Sequence, residues 1–125
     1  MRCSVTRVLH RGTPLIQAYG LTETSPAAVI NPFTEDLEYT GAIGLPISST
    51  EVAIIDDDGN HLAVGEIGEI CIRGPQVMQG YWQRPEETEN VMEGDWLRTG
   101  DVGRMDEKGF IIIEDSKKDM IHVKA

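Results

Sequence analysis

Tyr19, Gly20, Thr22 and Glu23 bring a ring, a bare backbone, a hydroxyl and a carboxylate into five consecutive positions. The tyrosine ring offers a flat face for a base. Gly20 lets a ligand come close to the backbone. A threonine hydroxyl can donate to a phosphate oxygen. A glutamate can help hold Mg²⁺, which takes one or two carboxylates together with substrate phosphates. A buried tyrosine beside a capping threonine and glutamate would present the same residues. Further along, Thr99-Gly100-Asp101 sets an aspartate after a glycine at a strand end. Such an aspartate can accept from both hydroxyls of a ribose, or simply stabilise a turn. The run Glu114 to Asp119 reads as a solvated linker. Asp56-Asp57-Asp58-Gly59-Asn60 looks superficially like a calcium loop but has no spaced ligands and no glutamate at the twelfth position. An acidic hairpin turn accounts for it.

Other chemistries are excluded. The chain contains no GxxxxGK[ST], GxSxG or HExxH. Cys3 and Cys71 make no CxxC and no metal pattern with the three histidines, which fits reduced thiols in a cytosolic protein. The net charge is −10, and of the acidic residues only Glu23 lies before residue 35. So acidic a surface repels a phosphate backbone, which argues against nucleic-acid binding. A small anionic ligand remains compatible where Mg²⁺ or backbone N–H groups meet its charge. No apolar run approaches the ~20 residues that span a bilayer. Arg2, Arg7 and Arg11, with no acid nearby, fit a transit-like leader, and Val5, Val8 and Leu9 fit one turn of an ordinary amphipathic helix.

The elements that must position these groups are short. Residues 14–19 read as a buried strand ending at the Gly20 loop. A turn-rich passage runs from Thr40-Gly41 to Leu45-Pro46. Residues 51–55 form a strand, Asp58-Gly59-Asn60 a tight turn, and the partner strand is expected near His61. Residues 69–73 form another strand. Pro85 to Met92 reads as a helix, with Pro85 at its first position and Glu86 and Glu87 facing its positive end. Trp96-Leu97-Arg98 is a short strand stopping before Gly100. Asp106 to Gly109 is a hairpin turn, and Phe110 to Asp115 is the last strand. Short strands between turns predict a small antiparallel, barrel-like unit.

In order, Tyr19 to Pro26, Ile43 to Pro46, Gly68 to Trp82, Trp96 to Asp101 and Lys117 to Ile121 resemble the adenylate-forming superfamily of acyl-CoA synthetases, luciferases and peptide-synthetase adenylation domains. Through Gly80 to Thr88 the likeness is strongest to bacterial long-chain fatty acid–CoA ligases. The resemblance implies an α/β family fold. This chain would be mainly β: the end of an α/β subdomain (1–40), a small distorted antiparallel β-barrel (41–115) and a hinge region (116–125) to a further domain.

The resemblance also implies roles. Tyr19 would flank adenine, with Gly20 beside it. Thr22 would contact the α-phosphate, Glu23 would hold Mg²⁺ and Asp101 would bind the ribose. Asp115 and Lys118 would lie at the hinge. The reaction implied activates a fatty acid with ATP through an acyl-adenylate and passes it to CoA. Location would be cytoplasmic, with peripheral membrane contact compatible with a bilayer-partitioning substrate. Where the family carries an arginine after the hinge aspartate, this chain has Ser116. The family's phosphate loop and adenylation lysine have no counterpart in these residues, so the chain alone is expected to be inactive. The alternatives are a non-catalytic AMP-binding module and a non-functional remnant.

Overall fold

The computed structural model describes residues 16–32 and 41–116, with the side chains of Asp115 and Ser116 excepted. The helix or leader expected at the N-terminus, residues 14 and 15 of the expected first strand, Cys3 and Lys118, expected at the hinge, lie outside the described residues.

In chain order the strands are β1 (Ala18–Tyr19), β2 (Val29–Ile30), β3 (Ala42–Pro46), β4 (Glu51–Ile55), β5 (Gly68–Arg73), β6 (Met92–Glu93), β7 (Trp96–Met105) and β8 (Ile111–Ser116). A 3-10 turn, Thr22–Thr24, lies between β1 and β2, and the one α-helix among the described residues, α1 (Pro85–Val91), precedes β6. The strands make a single antiparallel sheet in the order β1-β2-β3-β8-β7-β5-β4, with β6 attached to β7. The mainly β, antiparallel expectation is met. Closure into a barrel is not: β1 and β4 stand at opposite ends of the strand order, and no pairing joins them among the described residues.

β5 is the strand the rest is built around. Ile70, Cys71 and Ile72 are all fully buried, so both faces of this strand are covered. β-branched residues suit such a surface, and each buried isoleucine side chain contributes roughly 1.5–3 kcal/mol. β4 pairs along its whole length with β5, from Glu51 opposite Arg73 to Ile55 opposite Glu69. The wider core joins Ile54, Ile70, Ile72 and Ile111 to Tyr19, Ala28, Val29 and Ile43.

The two acidic turns share one mechanism. Asp56 Oδ1 accepts from the N–H of Asp58 (2.9 Å) and of Asn60 (2.8 Å). Asp106 Oδ1 does the same for Lys108 and Phe110, both at 2.9 Å. Each carboxylate is thereby engaged by its own turn, and the Asn60 contacts hold Asp56 below the usual carboxylate range.

Three local expectations are corrected. The partner of β4 starts at Gly68, not near His61, which makes only an isolated bridge to Ile55. The passage from Thr40 to Pro46 contains β3, because Gly44 is here a strand residue rather than a turn residue. Gly44 takes φ +125°, and a Cβ there would lie 2.2 Å from the Ile30 carbonyl carbon, so glycine permits the close approach of β2. β7 does not stop before Gly100 but continues for ten residues. It passes the glycine through a bulge: three residues of β5, from Cys71 to Glu69, oppose five of β7, from Arg98 to Val102.

Candidate functional site

The bulge in β7 is the device that turns Asp101 inward. Gly100 sits at φ +76°, a conformation that favours glycine. Its N–H donates to Glu69 Oε1 at 3.0 Å. Glu69 Oε2 receives Arg98 through Nε (3.0 Å) and Nη2 (2.8 Å). Burial pulls the Arg98 guanidinium down, but the Glu69 hydrogen bond and charge outweigh it and hold it above its ordinary value. The Thr99 hydroxyl donates to the Ile70 carbonyl (2.7 Å) and accepts from the Asp101 N–H (3.2 Å). Asp101 is then almost fully buried, 2% exposed.

From the other side comes Tyr19, at the end of β1. Its hydroxyl donates to Asp101 Oδ2 at 2.7 Å, a buried bond between residues 82 positions apart. The proposed base-flanking residue and the proposed ribose residue are therefore in direct contact. Tyr19 is itself a core residue, 5% exposed.

The 20–26 loop owes its shape to Gly20 and Thr24. A Cβ on Gly20 would lie 1.6 Å from the Pro26 carbonyl oxygen, so the space a side chain would fill belongs to this chain's own backbone. Thr24 is buried, and its hydroxyl accepts from the Leu21 N–H at 2.9 Å. Its proton serves the Leu21 carbonyl (2.9 Å) or the Pro26 carbonyl (2.8 Å), one at a time. The 3-10 turn so fixed leaves Thr22 exposed and Glu23 half-buried. Glu23 Oε1 accepts from the Tyr81 hydroxyl at 2.9 Å. Burial, then the hydrogen bond and charge of Glu23, push the Tyr81 phenol up.

Tyr19 and Asp101 are thus brought together, while Glu23 is joined to Tyr81. Asp115 follows in β8, opposite Val102, and Ser116 stands opposite Asp101. Glu69, Arg98, Thr24 and Tyr81 carry no role that the sequence alone points to. All four lie inside the family-like stretches, but their partners are set by strand register and loop docking.

Among the described residues no group of three or more His, Cys, Asp or Glu side chains is placed to hold a metal. Glu23 can still serve as the single carboxylate that a phosphate-bridged Mg²⁺ requires, since its donor is a hard oxygen. No helix among the described residues is long and apolar enough to cross a membrane.

Residues 3–82 match the family of AMP-binding enzymes. A long-chain-fatty-acid–CoA ligase from Yersinia pestis is 55% identical over 115 residues, 91% of this chain and 20% of the relative. The enzyme of that name from Escherichia coli O157:H7 is 52% identical over the same length and shares of each chain. Among solved structures, O-succinylbenzoate coenzyme A synthetase from Bacillus subtilis, in complex with ATP and magnesium ion, superimposes with TM-score 0.79. It shares 37% sequence identity and covers 86% of this chain and 22% of its own. The chain thus spans about a fifth of the length of the curated relatives it matches.

Proposed function

Because the chain belongs to the AMP-binding enzyme family, we propose that it supplies adenylate-site residues of a long-chain fatty acid–CoA ligase. The observation that supports this reading is the Tyr19–Asp101 hydrogen bond, which joins the residue proposed to flank the base to the residue proposed to bind the ribose. A carboxylate has about four lone-pair sites. Asp101, an acceptor-only carboxylate, is the group this reading gives to the ribose hydroxyls. With Asp101 only 2% exposed, the β1 loop must yield for a ribose to reach it. Gly20, beside the ring, keeps the loop backbone close. Thr22, exposed on the 3-10 turn, faces solvent where an α-phosphate can be met.

In the whole enzyme a fatty-acid carboxylate attacks the α-phosphorus of ATP, giving acyl-adenylate and pyrophosphate. The thiolate of CoA then displaces AMP, leaving the thioester. Glu23 would hold Mg²⁺, which when bound neutralises phosphate charge. Asp115 and Lys118 would form the hinge to a further domain. The same reading puts the enzyme in the cytoplasm, in contact with membranes only peripherally.

The test is calorimetric titration of the folded chain with a non-hydrolysable acyl-adenylate analogue and Mg²⁺. Saturable binding is expected, and Asp101→Asn, which keeps the volume, should weaken it at least about tenfold, as loss of a charged acceptor would. The chain alone should make no palmitoyl-CoA from palmitate, ATP and CoA. Absence of binding by a folded chain would sink the nucleotide role and leave an inherited signature without a working site.

A further inference from the structure

Glu23 is gripped by a segment to which the adenylate-site reading gives no role. Its backbone carbonyl accepts from the Met78 N–H at 2.8 Å, and its carboxylate from the Tyr81 hydroxyl at 2.9 Å. Tyr81 is in turn anchored on α1. Its N–H donates to Thr88 Oγ1 at 2.8 Å, and the Thr88 hydroxyl donates to the Arg84 carbonyl at 2.9 Å. Gly80, at φ +156°, lies so close that a Cβ would be 2.9 Å from Thr88 Cγ2. Along the same segment Gln76 Nε2 donates to Thr50 Oγ1 at 2.6 Å, which ties the segment to the turn between β3 and β4.

We propose that Tyr81 is a positioning residue that holds the Glu23 carboxylate in one orientation for a divalent cation, an inference that rests on the metal role given to Glu23. A half-buried glutamate samples several rotamers, and fixing it when the metal arrives costs entropy. A partner that fixes it beforehand removes that cost from the binding step. Tyrosine is well made for this role, with few rotatable bonds, an apolar body that packs and one hydroxyl at the tip. The chemistry of the donor matters as much as its position. A lysine or arginine at this place would cancel the negative charge that attracts a cation, whereas a neutral phenol orients the carboxylate and leaves its charge intact.

The experiment uses the ¹⁵N-labelled 125-residue chain with ATP and Mn²⁺ as the paramagnetic probe, since the cation is taken to bridge Glu23 and a phosphate. Mn²⁺ should broaden the backbone signals of residues 22–24, and Tyr81→Phe should weaken that affinity about tenfold, as loss of a residue orienting a metal ligand does. The turn at Asp56–Asp58 serves as an internal reference whose broadening stays unchanged. A merely structural Tyr81 would shift the metal-free signals of residues 22–24 in Tyr81→Phe, whereas a positioning Tyr81 leaves them in place and changes only the cation affinity, because the phenylalanine ring keeps the packing. Equal broadening with and without the hydroxyl overturns the positioning role. No broadening at residues 22–24 even with Tyr81 present overturns the metal role of Glu23 instead, and this inference with it.

Discussion

The sheet around β5 and the loop between β1 and β2 are held by different physics. The sheet is held by area: three consecutive residues of β5 are fully buried, and β4 and β7 pair along it on both sides. The loop connects two strands of only two residues each. Its shape depends on point contacts: the Thr24 hydroxyl, the carbonyl of Pro26 packed on Gly20, and the bonds from Tyr19 and Glu23 to distant partners. Asp101 belongs to the first region and Tyr19 to the second, so the candidate site is the seam between them. A scaffold stabilised by burial can carry a loop stabilised by a few polar bonds, and such a loop can rearrange without unfolding what bears it.

The contrast breaks most forcefully at Ile70. Ile70→Ala should destabilise the whole chain by about 2–5 kcal/mol, the range for truncating a buried isoleucine, and urea unfolding would register it as one global shift. A loop that survived while the sheet unfolded would refute the assignment of scaffold and passenger. Tyr19→Phe should act more weakly and only locally, at about 1.5 kcal/mol for a lost hydrogen bond to a carboxylate. Amide exchange should quicken at residues 19–28 and stay unchanged in β5. The smallest effect belongs to the Arg73–Glu51 pair on the sheet surface, where both side chains are well exposed. Exposed pairs contribute little, so Glu51→Gln should leave the urea midpoint unmoved within error.

How far each region could be read from sequence follows the same division. The apolar run from Val52 to Ile55 and the proline-led helix at Pro85 are local signals, and both elements occur where the pattern puts them. Glycine misled where it served the strand. Gly44 looked like a turn and lies in β3, and Gly100 looked like a stop and lies inside β7. In both places a positive φ is used for a bulge or a close approach, which sequence cannot distinguish from a turn. Tyr19, Glu23 and Asp101 were legible through motif order. The bonds joining them to partners were not, because Tyr81 lies 58 positions from Glu23 and Tyr19 lies 82 positions from Asp101. Register and docking fix those distances, and neither is written in a local pattern.

The buried bond between Tyr19 and Asp101 also sets a clock. If a ribose can reach Asp101 only after the loop opens, raising the ligand concentration speeds association only up to the rate of opening. Beyond that point the observed rate levels off, and the apparent affinity is reduced by the fraction of time the loop stays closed. On the adenylate-site reading, a chain that stores its carboxylate under a tyrosine would take up its ligand at a pace chosen by the protein rather than by diffusion.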